Sequence, residues 1–316
     1  MTKQAPNKEE AQAQATRRLE DVLSRDPVLC GAEVSEVLRV VAGNRAIFAG
    51  EFAGQSVVFR FLMHDGGPAQ AAKEWREMVR ANAYMNQGPL RSVLPLAQIV
   101  DEGLIVMERE TGRPLLEYLR SLQARALRVD LINRAAGWLS TYCAPTLKPM
   151  APNIDRWLRR ASESSATQPF EHLRGLEQGI FEQMQRIGDK MQNMTWQRAI
   201  SHGDFHLNNL FHQDGVLTGF DLGGSGRLPI YKDRARALTH MSRRGMVPSR
   251  RRCLGMDAAA FEAFSASLEP NEADLALPFF LGFETLVRVE GSSLPERRIK
   301  LAERMATGLL EDLKQV

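Results

Sequence analysis

Asp204, Asn209 and Asp221 form the most informative group of polar residues in this sequence. A Gln-Asp-Gly sequence at 213–215 lies between them with apolar residues on both sides, and Asp-Gly in that setting is a strong signal for a β-hairpin. The hairpin would place Asp204 and Asn209 on the loop that enters its first strand, and Asp221 just after its second strand. We therefore expect two carboxylates and one amide oxygen to converge on a small volume. Such a ligand set suits a hard cation such as Mg²⁺.

The sequence His202-Gly203-Asp204, followed by Asn209 and then Asp221, resembles the catalytic core of the aminoglycoside phosphotransferase and choline kinase family, a small-molecule branch of the protein-kinase fold. The resemblance implies that Asp204 is the catalytic base, that Asn209 and Asp221 bind Mg²⁺, and that ATP is the phosphoryl donor. The phosphoryl acceptor would be a hydroxyl group of a small molecule such as a sugar or an amino alcohol.

The same resemblance implies an α+β, protein-kinase-like fold with two lobes. A small N-terminal lobe, built around an antiparallel sheet, would comprise residues 1–108 and bind the nucleotide. A larger, mainly helical C-terminal lobe would comprise residues 109–316 and carry the catalytic and acceptor-binding residues.

The predicted third strand contributes two candidate nucleotide-binding residues. Val58 and Arg60 share one face of it, because side chains alternate along a strand. In kinases a lysine on this strand reaches the ATP phosphates and the residue two positions before it touches adenine, so the resemblance assigns these roles to Arg60 and Val58. Arginine keeps the charge of lysine and adds a planar fork suited to phosphate oxygens. The alternative is an arginine on an edge strand that faces solvent.

The helix predicted after this strand carries the carboxylate that the resemblance pairs with Arg60. Glu74 is favoured for this role by its position relative to the apolar face, and Glu77 is the competing candidate. Most glutamates on such helices are solvated.

The segment that begins at Glu108 resembles the hinge of the same family. By that resemblance, Met107 lies at the back of the adenine pocket, and the backbone from Glu108 to Glu110 forms hydrogen bonds with the edge of adenine. A later aspartate, Asp233, matches a family residue that opens a helix and braces the catalytic loop.

Composition limits the possible classes of protein. Residue content of 44% apolar and 25% charged is typical of a soluble globular protein, and 316 residues suffice for two lobes. The net charge of +3 is too small to indicate a nucleic-acid partner. No apolar run is long enough for a signal peptide or membrane insertion, and the three cysteines lack disulfide or zinc spacing. We expect a cytoplasmic protein; the sequence does not indicate its oligomeric state.

Hydrophobic periodicity predicts the remaining elements. Residues 1–8 are expected to be disordered, and 223–226 to form a flexible loop. Strands are predicted at 34–41, 46–52, 56–63, 93–100 and 104–107, and helices at 9–26, 68–86, 115–127, 131–142, 154–161, 171–194, 257–268, 272–289 and 295–314.

The segment 232–252 contains eight basic residues and one acid. Such a run usually forms a solvated face. If it instead borders the acceptor site, it disfavours a polycationic acceptor, because like charges repel.

Two other functions remain open at this level. One is a nucleotide-binding regulator without strong catalytic activity, since Arg60 replaces a lysine and the loop at Gly43 lacks the full glycine pattern. The other is a metal-dependent hydrolase that uses His202, Asp204, His206 and Asp221, because imidazole suits zinc or iron.

Overall fold

The computed structural model describes residues 8–316. The expectation of disorder for residues 1–7 lies outside this range, and Lys8 already begins the first helix. The helices are α1 (Lys8–Arg25), α2 (Gly67–Asn82), α3 (Leu115–Ser121), α4 (Arg125–Cys143), α5 (Ile154–Ser165), α6 (Glu171–Lys190), α7 (Ile230–Ser242), α8 (Ala258–Ser265), α9 (Leu277–Leu286) and α10 (Glu296–Leu313). The strands are β1 (Glu33–Val41), β2 (Arg45–Phe52), β3 (Gln55–Leu62), β4 (Leu90–Ser92), β5 (Pro95–Ile99), β6 (Leu104–Glu108), β7 (Arg113–Pro114), β8 (Lys148–Met150), β9 (Trp196–Ser201), β10 (Leu210–Gln213), β11 (Val216–Gly219), β12 (Gly226–Pro229), β13 (Arg252–Cys253) and β14 (Met256–Asp257).

The chain divides into two compact units. The first comprises Met1–Gly112 and Gln213–Gly224, and the second comprises Arg113–His212 and Ser225–Val316. In the second segment of the first unit, between β10 and β11, Asp214 and Gly215 have φ angles of 47° and 81°. Positive φ at both central residues is what a tight two-residue hairpin turn requires.

The first unit is built on a five-stranded antiparallel sheet in the order β1-β2-β3-β6-β5. Val57, Phe59 and Phe61 alternate along β3 and are fully buried on one face, in a core that includes Leu19 of α1. Buried residues recur along α1 at helical spacing, so this helix covers that face of the sheet. The alternation leaves Arg60 on the opposite face.

The second unit is organised around α7 and α9, which pack against each other and whose residues are all buried. A three-stranded sheet, in the order β12-β9-β8, lies in the same unit. Most of α9 is apolar, but α7 buries Lys232, Asp233, Arg234 and Arg236. Buried charges need hydrogen-bonding partners, so these side chains must be satisfied from within the unit.

The expectation of a solvated face for the basic segment 232–252 is wrong for its first part. Arg234 is buried because its guanidinium donates to Ile230 O at 2.9 Å and to Phe264 O at 3.1 Å. Arg243 is also buried, and its charge is compensated by Glu290, with 2.8 Å between Arg243 Nη1 and Glu290 Oε1. Arg251, later in the segment, is exposed as expected.

Several predicted boundaries also differ. The helix predicted at 115–127 ends at Ser121, where Arg128 Nε donates to Leu122 O at 2.8 Å and caps the end of α3. Part of the loop predicted at 223–226 belongs to β12, which pairs with the unpredicted strand β9. The helix predicted at 272–289 begins with a π-helical turn before α9.

No helix in residues 8–316 is both long and apolar enough to span a bilayer. Cys30, Cys143 and Cys253 are free thiols.

Two glycines of the first unit test how tightly its turns are packed. Gly103 and Gly54 have φ angles of 72° and 74°, so alanine at either position costs about 1–2 kcal/mol of backbone strain. A Cβ at Gly103 would lie 2.5 Å from Leu62 O, whereas a Cβ at Gly54 would meet nothing within 4 Å. We expect Gly103→Ala to lower the free energy of unfolding by about 1–3 kcal/mol more than Gly54→Ala. Urea denaturation measures both, and equal losses would contradict this packing.

Candidate functional site

The loop after β9 is held by α7. Both carboxylate oxygens of Asp233 accept a hydrogen bond from the N–H of Gly203, at 2.9 and 3.1 Å, and Lys232 Nζ donates to Gly203 O at 2.9 Å. Asp233 lies in the first turn of α7, where the helix dipole favours a carboxylate. Gly203 has a φ of 88°, which favours glycine. The bracing role that the resemblance implied for Asp233 is therefore present.

His202 is packed below this loop and is 1% exposed. Its ring lies 5.8 Å from the ring of Phe205 and 6.4 Å from the rings of Trp138 and Tyr142, measured between centroids. A histidine enclosed by three aromatic rings acts as part of the core. This arrangement orients the backbone that leads into Asp204.

Asp204 lies between two arginines. Its Oδ1 accepts from Arg236 Nε at 2.7 Å and from Arg288 Nη2 at 2.8 Å, while its side chain remains 44% exposed. Burial by itself would raise the pKa of this carboxyl, but Arg236 and Arg288 outweigh that effect and lower the pKa to about 2. Asp204 is therefore a carboxylate at any physiological pH, fixed in orientation and still accessible through Oδ2.

Asn209 lies close to Asp204. Its Nδ2 donates to the backbone oxygen of Asp204 at 3.1 Å, and the side chain is largely buried. Since the amide nitrogen is used in this bond, the Oδ1 atom remains available as an oxygen ligand. The second unit thus brings together two of the predicted site residues.

The first unit brings together three others. Arg60 Nε lies 3.0 Å from Glu74 Oε1, and Arg60 Nη2 lies 2.9 Å from Asp221 Oδ1. The ion pair implied by the resemblance is therefore formed by Glu74, whereas Glu77 pairs with Arg80. Asp221 has a φ of 62°, a left-handed conformation that aspartate tolerates better than most residues and that often marks functional sites.

Charge and packing make this triad rigid. Burial would lower the pKa of the Arg60 guanidinium, but the carboxylates of Glu74 and Asp221 outweigh it and raise the pKa. Burial raises the pKa of Glu74, with Arg60 opposing the change. A Cβ at Gly223 would lie 2.7 Å from Glu74 Oε2, so the segment after Asp221 packs directly on this carboxylate.

The predicted adenine-binding residues lie at the end of β6. Val58 and Met107 are register partners on β3 and β6, and Met107 is 8% exposed. The N–H of Glu108 donates to Leu94 O at 3.0 Å, and its side chain accepts from Leu94 N at 2.7 Å. These two hydrogen bonds hold the predicted hinge against the segment around Leu94.

Only part of the hinge backbone is available to a ligand. The N–H of Arg109 donates to Ser56 O at 3.0 Å, as the N–H of Glu108 donates to Leu94 O. Within residues 8–316 the N–H of Glu110 has no hydrogen-bond acceptor, and its side chain lies 3.5 Å from Arg91 Nη2. Glu110 N–H is therefore the free donor of this segment.

Sequence reasoning missed Arg236 and Arg288 as neighbours of Asp204. Arg236 follows Asp233 by three residues, so both face the catalytic loop from adjacent turns of α7, and this spacing was a usable signal. Arg288 follows the end of α9, and no local pattern in the sequence indicated that it would contact Asp204.

The donor atoms fit the cation that the resemblance implies. Asp221 has a side chain 37% exposed and uses only Oδ1 with Arg60, and Asn209 offers a neutral oxygen. Both are the hard oxygen ligands that Mg²⁺ prefers. The two residues belong to different units.

No group of three His, Cys, Asp or Glu side chains within the described part of the chain is placed to hold a metal ion. The histidines of the hydrolase alternative have other contacts: the ring of His206 stacks on His240 with centroids 4.2 Å apart, and His202 lies in the aromatic cluster.

Comparison with known proteins is consistent with this geometry. A sequence model of the phosphotransferase enzyme family (APH) matches residues 36–270. No curated protein matches the chain significantly in sequence.

Solved structures show the same fold. A choline/ethanolamine kinase family protein from Mesorhizobium loti is 11% identical with a TM-score of 0.60, over 96% of this chain and 100% of the other. Choline kinase LicA from Streptococcus pneumoniae is 12% identical with a TM-score of 0.56, over 93% and 99%. A thermostable mutant of aminoglycoside phosphotransferase APH(4)-Ia, in complex with ADP and hygromycin B, is 12% identical with a TM-score of 0.56, over 89% and 95%.

The predicted α+β, protein-kinase-like fold and the predicted enzyme class are thereby confirmed. The chain belongs to the phosphotransferase enzyme family and is a small-molecule kinase.

Proposed function

We propose that this protein transfers the γ-phosphoryl group of ATP to a hydroxyl of a small molecule in a Mg²⁺-dependent reaction. The observation that carries the proposal is the loop at Asp204: Asp233 and Lys232 hold Gly203, and Asn209 is bonded back to the Asp204 backbone. The loop thus presents one accessible carboxylate in a fixed position. Fixed orientation is the main requirement of phosphoryl transfer.

Nucleotide binding is assigned to residues of the first unit. Val58 and Met107 would contact adenine, the free N–H of Glu110 and the backbone at Glu108 would bond its edge, and Arg60 would bind phosphate oxygens. Glu74 holds Arg60 in place from its buried position. The ADP complex of the structurally similar APH(4)-Ia supports a nucleotide as the donor.

The acceptor hydroxyl is assigned to Asp204. Its carboxylate accepts a hydrogen bond from the hydroxyl and orients the oxygen for attack on the γ-phosphorus. The bond to the ADP oxygen breaks as the new P–O bond forms, and the hydroxyl proton passes to Asp204. A pKa of about 2 makes Asp204 a weak base, so most of its contribution comes from orientation and charge.

Asn209 and Asp221 would hold Mg²⁺, which neutralises charge on the phosphates when it is bound. The contact of its Oδ1 with Arg60 would orient Asp221 for this role and leave Oδ2 for the cation.

Two observations favour the alternative of a regulator with weak activity. Asp204 Oδ1 is already occupied by two guanidinium groups, and Arg60 stands in place of the usual lysine. A regulator would bind nucleotide with the same residues of the first unit but would not respond to acceptors.

Turnover distinguishes these functions. We expect slow Mg²⁺-dependent release of ADP from ATP that rises at least about tenfold with one member of a panel of sugars, amino alcohols and their phosphorylated forms. A coupled assay of ADP release measures it. Nucleotide binding without stimulation by any acceptor would favour the regulator. Hydrolysis of a compound in the absence of ATP would contradict both the kinase and the regulator.

Asp204→Ala should lower kcat by about 10²–10⁴-fold, because the acceptor hydroxyl loses its orienting group. ATP affinity should be nearly unchanged, since Asp204 acts on the acceptor. The matched control is Asp130→Ala, at an exposed position on α4 of the same unit. Steady-state kinetics and calorimetry with a non-hydrolysable ATP analogue give both quantities. A variant that retains activity would remove Asp204 from the mechanism.

Asp221→Asn should weaken binding of the Mg²⁺-nucleotide by about tenfold or more, because the cation loses a charged ligand. Asparagine also tolerates the left-handed backbone at this position, so folding should be preserved. The exposed Asp101→Asn is the control in the same unit. Calorimetric titration with and without Mg²⁺ measures the effect, and equal affinities in the variant and the control would refute the assignment.

A further inference from the structure

Two neighbouring, half-buried arginines of the second unit have no carboxylate partner among the described residues. Arg244 follows α7 and Arg298 lies in the first turns of α10. Within the described residues 8–316, neither has a carboxylate oxygen within 4.0 Å, and Arg298 Nε is buried with no hydrogen-bond acceptor. The only side-chain hydrogen bond of Arg244 in that range is from Nη1 to His240 O, at 3.1 Å. We call these two residues the Arg244–Arg298 pair.

The two arginines are brought together by the packing of α10 against the end of α7. Leu301, one turn after Arg298, lies 3.1 Å from the position that a Cβ at Gly245 would occupy. Arg298 and Arg244 therefore reach the same region of the second unit. Their repulsion contributes, after burial, to lowering the pKa of Arg244 to about 10.

A stack of two histidines connects this region to Asp204. His206 Nε2 lies 3.9 Å from Asp204 Oδ2, the ring of His206 stacks on that of His240 at 4.2 Å, and Arg244 donates to His240 O. Burial lowers the pKa of His206 to about 4, although Asp204 opposes the change. Burial, together with the charges of Arg244, Arg236 and Arg298, also lowers the pKa of His240. Both imidazoles are neutral near pH 7, so they add no positive charge there.

Other buried cations of the unit are satisfied internally. Arg243 pairs with Glu290 at 2.8 Å, and Lys232 pairs with Glu284 at 3.1 Å. Arg236 and Arg288 share Asp204. The Arg244–Arg298 pair is different, because two neighbouring half-buried cations have no carboxylate oxygen of the described residues within 4.0 Å to offset the partial loss of their hydration. Its missing counter-charge is therefore expected to come from a ligand.

We propose that the acceptor is a hydroxylated compound that already bears an oxyanion group, a phosphate ester or a carboxylate, and that the Arg244–Arg298 pair binds this group while its hydroxyl is oriented by Asp204. Guanidinium groups present paired N–H donors that match the oxygens of such anions. This inference rests on the proposed phosphotransferase function and extends it to the substrate class. A polycationic acceptor would be repelled by the same charges.

Inorganic phosphate is the first probe, because its binding does not depend on turnover. We expect phosphate to bind the full-length protein in low-salt buffer, and its affinity to fall about tenfold in Arg244→Gln and in Arg298→Gln, the loss expected for one charge-assisted hydrogen bond. Arg297→Gln, at the exposed neighbouring position on α10, is the matched control. Calorimetry in the presence of saturating ATP analogue excludes binding at the nucleotide site. Equal phosphate affinity in all variants, or no binding, would overturn the proposed site.

The second measurement compares acceptors in pairs that keep the carbon skeleton and differ at the anionic group, such as glycerol with glycerol 3-phosphate, glucose with glucose 6-phosphate, and glucose with glucuronate. ADP release should respond to the anionic member, with KM raised about tenfold in Arg244→Gln and unchanged in Arg297→Gln. Stimulation by neutral acceptors alone would overturn this inference and leave the phosphotransferase proposal intact. Phosphate binding lost in Arg244→Gln, with no turnover of any acceptor, would support the anion site and count against the phosphotransferase.

Discussion

The buried carboxylate of Asp233 is the constraint on which the catalytic loop depends. A fully buried charge needs hydrogen-bond donors, and Asp233 finds them mainly in the N–H of Gly203, with Lys232 from the same helix holding the oxygen of that residue. Moving the loop would leave the Asp233 carboxylate buried without its donors. Because such a loss is costly, one conformation of the loop is strongly preferred, and Asp204 inherits its position from it.

The second unit buries several basic side chains, most of them arginines. Arg234 donates to the carbonyl oxygens of Ile230 and Phe264, on α7 and α8, whereas Arg243 pairs with Glu290 and donates to the carbonyl oxygen of Thr285 on α9. Arg236 and Arg288 instead end on Asp204, which remains half exposed. Arginines of this unit therefore have two roles: some stabilise the packing of its helices, and others orient the carboxylate of the candidate site. The two roles differ in the acceptor, which is buried for Arg234 and Arg243 and partly exposed for the pair that binds Asp204.

The first unit uses the opposite arrangement, one cation between two carboxylates. Arg60 is shared by Glu74, from α2, and Asp221, from the segment after β11. One guanidinium thus connects the five-stranded sheet, α2 and the segment after β11 within the first unit. The family resemblance indicated the Arg60–Glu74 pair, with strand alternation placing Arg60 on the same face as Val58 and helical phase favouring Glu74 over Glu77. It did not indicate that Asp221 would also bind Arg60, since that contact depends on where a later segment packs.

The amino-acid sequence alone determined the family, the α+β class, most helices, the strands of the five-stranded sheet and of the β10–β11 hairpin, and the loop residues Asp204 and Asn209. These depend on local spacing: hydrophobic periodicity, an Asp-Gly turn, and a motif within a few residues. Only the tertiary structure decided that half of a basic segment would be buried, that Arg288 would reach Asp204, and that Arg244 and Arg298 would lie together without a carboxylate. A charged side chain can be buried only where other elements supply its hydrogen-bonding partners. For residues so far apart in the sequence, local spacing does not predict which partners will be present.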